Sequence, residues 1–225
     1  MNVIVLNAWQ LFFKGGRMMW PIFILSILAV GIGINRIMFL ISLERRLIQE
    51  KVAIIESLHQ GRLKETMRLC ENLSGPVARM AKAGIVRFGA SIELLKGVMA
   101  EEADYQAQKL MQFLGVLSII VNVAPLLGLL GTVNSMAVVF HAVQIRSNAL
   151  SPLTAGELAS GIWQALLTTS SGLIVGIISY VIYSLCAMRI NKIIVYMNHA
   201  NIEMANILQQ LSESVKVSYE QDNRS

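Results

Sequence analysis

The sequence predicts an all-α, polytopic membrane protein with three transmembrane helices and a cytoplasmic helical bundle. Composition is the first ground: of 225 residues, 55% are hydrophobic and 15% charged, with mean hydropathy +0.58, far from the soluble average. The second is charge placement. Windows 18–35, 111–145 and 161–188 contain no Asp, Glu, Lys or Arg, and each reaches the roughly 18 residues of a candidate spanning helix. Helices satisfy their backbone hydrogen bonds locally in hydrocarbon, so three windows mean three spans. The third is that basic residues follow the membrane. Eleven lie from Arg45 to Lys109, whereas the connection between the second and third windows holds only Arg146. The net charge of +5 therefore reflects topology, and no basic run of a nucleic-acid-binding kind is present. The positive-inside rule puts the long loop and the C-terminus in the cytoplasm and the N-terminus outside; Lys14 and Arg17 oppose this and are outnumbered.

Taken in order, residues 1–17 form an interfacial segment on the outer, periplasmic side. Its apolar run VIVLNAWQLFF carries Trp9, Phe12 and Phe13 as interfacial anchors, and lacks the basic start and small-residue cleavage site of a removed signal peptide. Gly15-Gly16 separates it from the first span, 18–41, which opens on Trp20-Pro21; proline is tolerated in a first turn. Arg36, near the inner end, can snorkel to the headgroups or pair with a partner's acid.

Residues 42–110 alternate eleven basic and nine acidic residues with apolar positions at helical spacing (Leu47, Val52, Ile55, Leu58, then Leu63, Met67 and Leu69-Cys70). This predicts packed cytoplasmic helices extending the spans. NLSGP at 72–76 is a turn. The second span, 111–143, is longer than a bilayer needs and projects into the cytoplasm. SNALSPLTAGE belongs to a short periplasmic loop, 144–160, which leads to the third span, 161–188. Residues 189–225 begin amphipathic and end in a polar tail, SYEQDNRS, read as disordered.

Cys70 and Cys186 fall where no disulfide is favoured. His59, His141 and His199 are scattered, and no metal-ligand spacing occurs. No cofactor or metal is expected. No nucleophile–base pair stands at working spacing, so the chain does not read as an enzyme.

The polar run QALLTTSSGL (164–173) is the exception within an apolar span. On a helix, Gln164, Thr168 and Ser171 share one face while Thr169 and Ser170 lie off it. Such groups serve as packing glue between membrane helices, or line a hydrated path. The second span repeats the theme in PLLGLLGTVNS, where Pro125 removes a backbone bond, Thr132 supplies a hydroxyl, and Gly128 and Gly131 permit close approach, as Gly172 does in the third span.

The pair APLLGLLGTV (124–133) and GIWQALLTTSSGLIVGI (161–177) resembles the two signature segments of the MotA/TolQ/ExbB proton-channel family. GGRMMWPIFILS, ahead of the first span, is similar to the start of ExbB-type members, and three spans favour the ExbB/TolQ branch. The resemblance implies a homopentamer in the bacterial inner membrane whose second and third spans surround a dimeric ExbD/TolR-like partner. Each partner helix carries an intramembrane Asp that takes ions, most simply protons, from outside and releases them inside, turning ion-motive force into mechanical work. The process energised is expected to be TonB-dependent outer-membrane transport, with a TonB-like protein in the assembly; TolQ-like envelope maintenance, a gliding or surface-motility motor, and a non-conducting scaffold are the alternatives.

Carried over by residue, the resemblance implies pore threonines at Thr132 and Thr169 and a span-two proline at Pro125. Gln164, Thr168 and Ser171 join the expected pore lining. One position departs: the family commonly has Glu where this chain has Gln164, and an amide cannot titrate. The charge must therefore come from the partner, and proton or sodium coupling is left open.

Overall fold

The computed structural model describes residues 12, 15–112, 114–146 and 154–222, with side chains to 218. These residues form helices and turns and contain no strand. The helices are α1 (Met19–His59), α2 (Leu63–Asn72), α3 (Pro76–Val86), α4 (Ile92–Gln112), α5 (Gly115–Arg146) and α6 (Ala155–Asp222). Three stretches are long and apolar enough to cross a membrane, lying in Met19–His59, Ile92–Arg146 and Ala155–Ser218. Most of segment 1–17, and residues 147–153 of the connection expected at 144–160, lie outside the described residues.

The chain divides into two compact units, Met1–Asn35 with Leu114–Leu185, and Arg36–Phe113 with Cys186–Ser225. In the first, Ala29, Leu117 and Ile120 are buried, with Leu25, Ile182 and Tyr183 packed against them. Large apolar side chains elsewhere on these helices, such as Phe23, Leu126, Val133 and Ile177, remain exposed, as expected of surfaces whose solvent is lipid. α6 begins at Ala155, earlier than the span expected from 161. The cause is local. Thr154 is an N-cap whose Oγ1 accepts from the Glu157 N–H at 3.3 Å, while Glu157 Oε2 accepts from the Thr154 N–H at 3.0 Å. This is a capping box, and Glu157 also accepts from Arg146 Nη1 at 2.9 Å. The Thr154 N–H, then Arg146, hold the Glu157 carboxyl below its ordinary pKa.

In the second unit, Leu47, Ile54 and Leu58 of α1, Met80 of α3, Leu95 and Met99 of α4, and Met197, Met204 and Leu208 of α6 are fully buried. The turn at residues 72–76 is present, with Pro76 starting α3, where its missing N–H costs nothing. Gly61, just after α1, has φ +69, the left-handed conformation in which glycine ends a helix without a Cβ penalty. Glu44 pairs with Lys192 and Arg189; Lys192 above all, with help from Arg189, lowers its pKa against the opposing effect of burial. The polar end of the chain differs from the disordered tail expected: α6 continues to Asp222.

The buried face of α1 also differs from the apolar stripe in the sequence. Val52 is 59% exposed and Ile55 half-buried, whereas Leu47, Glu50, Ile54 and Leu58 share the buried face. Glu50 is only 8% exposed. Its carboxyl sits over the start of α3, so close to Gly75 that a Cβ there would collide with both oxygens. The Gly75 and Ala78 N–H groups and Arg46 favour the charged form, but desolvation outweighs them and raises the pKa. The same burial, with Glu50 nearby, pushes the Cys70 thiol up to about 11, so that cysteine is a passive core group.

A stability prediction follows. An acid whose folded pKa is raised stabilises the fold when protonated, fully so below its unfolded value, and this is lost as pH rises through the folded pKa. Glu50→Gln keeps the shape and removes the titration. Thermal melts of the purified protein should show wild type losing stability relative to the Gln variant as pH rises above 4.5 through the raised pKa. Parallel melting curves for the two proteins would show that Glu50 is ionised without cost.

Candidate functional site

The site is built on the antiparallel contact of α5 and α6 within the first unit. On α5 the buried positions are Leu117, Ile120, Ala124, Gly128, Gly131, Ser135 and Val139, three or four residues apart. On α6, Ala165, Thr168, Gly172, Gly176 and Ser179 answer them. A Cβ on Gly172 would stand 2.7 Å from the Ala124 carbonyl oxygen and 2.9 Å from Gly128 Cα. One on Gly128 would stand 3.1 Å from the Thr168 carbonyl oxygen, and one on Gly131 2.7 Å from Thr168 Oγ1. The two backbones thus meet through glycine, the small-residue packing that lets membrane helices approach closely.

Thr169 stands at one edge of this seam. Its Oγ1 donates across it to the Gly128 carbonyl at 3.2 Å. One turn along α5, Thr132 Oγ1 donates to the Leu129 carbonyl at 2.7 Å. Both side chains are half-buried, so the two hydroxyls share an edge where neither is closed off. Thr168, in contrast, is fully buried and donates to the Ala165 carbonyl at 2.8 Å. Pro125 packs its ring on Gly176, where a Cβ would lie 2.7 Å from Pro125 Cγ. α5 continues through this proline, leaving the Val121 carbonyl without its helical N–H partner.

Gln164 and Ser171 lie on the opposite flank of α6. The Gln164 amide rests on Gly16, which has φ +74 and no room for a Cβ against that amide. Ser171 lines a cavity of about 220 Å³ with Phe12, Met19, Ser26, Ile174 and Val175. The helical face that groups Gln164, Thr168 and Ser171 in the sequence therefore divides among three neighbours within the chain. Thr169 and Thr132, which do not share that face, bond the consecutive carbonyls of Gly128 and Leu129 on the other edge of the seam. Sequence spacing registers each helix alone; the pairing depends on which glycines meet.

The chemistry available is hydrogen bonding without charge. Among the described residues, no group of three or more His, Cys, Asp or Glu could hold a metal ion, and no acid lies in windows 111–145 or 161–188.

The chain is similar to several known proteins. An ExbB-like biopolymer transport protein of Synechocystis sp. is 31% identical over 177 residues, covering 76% of this chain and 67% of that protein. An ExbB homolog of Methanothermobacter thermautotrophicus is 26% identical, covering 81% of this chain and 63% of that protein. Another ExbB-like protein of Synechocystis sp. is 27% identical, covering 72% and 77%. The chain thus spans 63% to 77% of the lengths of these relatives. Residues 72–199, which include the whole α5–α6 seam, match a family description as well. The chain is a membrane protein and belongs to the MotA/TolQ/ExbB proton channel family.

Proposed function

We propose that this chain is the ion-channel subunit of an energy-transducing motor in a bacterial inner membrane. Five copies surround a dimeric ExbD/TolR-like partner, with the N-terminus periplasmic and the C-terminus cytoplasmic. The observation that carries this is the Thr132–Thr169 edge: two hydroxyls held on one side of a closely packed helix pair, in segments with no acid of their own. Such an edge suits a carboxylate supplied by another chain. A bare charge at the bilayer centre costs at least ~2.5 kcal/mol, and hydroxyls that turn from their backbone carbonyls to donate to it lower that cost.

In this reading the partner's Asp is protonated from outside, passes the threonines, and is deprotonated inside, each cycle stepping the ring around the dimer. Gln164 lies on the other flank, against Gly16 of its own chain. The absence of a Glu there leaves the Asp cycle intact, and the coupled ion is set by the partner acid and the threonines. The work energises outer-membrane transport through a TonB-like protein; the chain catalyses no covalent chemistry.

Purification of the tagged chain from cells expressing its neighbouring genes tests this. A small single-span protein with one intramembrane acid should co-elute at five copies to two by native mass spectrometry. Rings recovered repeatedly without any acidic companion would leave a non-conducting scaffold as the better reading. Loss of envelope integrity or of surface movement on deletion, with transport intact, would move the role to the TolQ-like or motility alternatives.

A further inference from the structure

Two polar side chains outside the threonine pair face the open side of the same seam. Asn122 is exposed on α5, ten residues before Thr132, and Tyr180 is 58% exposed on α6, eleven residues after Thr169. The helices are antiparallel, as the contacts of Gly131 with Thr168, Gly172 with Ala124, and Gly176 with Pro125 show. Ten and eleven residues at 1.5 Å rise therefore carry both groups about 15 Å toward the same end. Eleven residues are three turns plus about 20°, which keeps Tyr180 on the Thr169 side of α6, whereas ten residues fall about 80° short of three turns, which puts Asn122 on the Thr132 flank of α5 but farther from the seam.

One N–H of the Asn122 amide donates to the Ser118 carbonyl at 2.8 Å; the amide still offers its Oδ1 and a second N–H. Lipid cannot satisfy these groups, and leaving them bare in hydrocarbon is unfavourable. Each helix thus presents an exposed polar group at matching depth, on the flank that carries its threonine.

We propose that Asn122 and Tyr180 form the inner half of the ion path, ordering the water through which an ion released by the partner's Asp, once past Thr132 and Thr169, reaches the cytoplasm. This rests on the channel reading and adds positioning residues to it. Asn122 cannot bind a proton; it holds water in line. The competing role for Tyr180 is an interfacial anchor, for which any amphipathic ring would serve.

The test uses the chain with its co-purified partner in liposomes, following pH-sensitive and sodium-sensitive dyes after an imposed gradient. Asn122→Leu and Tyr180→Phe should each lower ion flux about fivefold, the scale of one lost hydrogen bond, with ring and partner stoichiometry unchanged and Asn122→Ser restoring flux. Tyr180→Trp should not restore it; full flux in that variant overturns the proposal for Tyr180 in favour of an anchor. Unchanged flux in Asn122→Leu and Tyr180→Phe, with flux lost in Thr132→Val/Thr169→Val, overturns the inner path and leaves the channel standing. Unchanged flux in all of them overturns the channel reading itself. If Asn122→Leu fails to assemble, Asn122→Ala takes its place with the same expected loss.

Discussion

Replacing Thr132 and Thr169 together with valine should abolish ion-driven output while leaving the assembly intact. Valine nearly matches threonine in shape, so the packing of each site is kept. Neither substitution strands a buried partner, because the Leu129 and Gly128 carbonyls that accept these hydroxyls still accept helical backbone bonds. What disappears is two donors for a passing carboxylate. At about 1 kcal/mol each, their loss removes about 2 kcal/mol from the ionised form, about a 30-fold fall in its population. Ion flux in liposomes containing the partner should fall at least that far, and partner-dependent transport in cells should cease. Wild-type flux in the double variant would show that the charge travels elsewhere.

Gly172→Ala should be the most damaging single methyl group in the membrane unit. The new Cβ would meet the Ala124 carbonyl oxygen and the Gly128 backbone, none of which can swing aside as a side-chain tip does. Overpacking of this kind typically costs about 1–3 kcal/mol, occasionally more, and forcing the helices apart also breaks the Thr169–Gly128 bond. A lower melting temperature, less protein in the membrane, and loss of flux are expected. Gly31→Ala is the control: nothing lies within 4 Å of a Cβ there, so melting temperature and yield should stay at the wild-type level. Equal behaviour of the two variants would mean that α5 and α6 do not meet through glycine.

The large-scale organisation was legible because a run of about 18 apolar residues without a single charge is the length a helix needs to cross hydrocarbon. The three spans, the turn at residues 72–76 and the helical character of the intervening region all follow from where charge is excluded and where it returns. The buried face of α1 was not legible, because a reading that selects apolar letters passes over Glu50, which the start of α3 accommodates. Nor was the early start of α6: Thr154 and Glu157 form a reciprocal cap that hydropathy does not register. At the candidate site, glycine positions signalled close packing, but the partner of each glycine depends on how two distant segments align. Helical rotation alone separates Thr169 from Gln164, five residues and about 140° apart, but the alignment decides that Thr169 is the one bonded to α5.

The seam between α5 and α6 has a mechanical consequence. Two helices whose backbones touch at Gly128 and Gly172, pinned by a hydroxyl bridge, cannot slide or roll past each other without a clash. Close-packed contacts of this kind transmit strain instead of absorbing it. Torque exerted on either helix would therefore turn the pair as a single rigid blade.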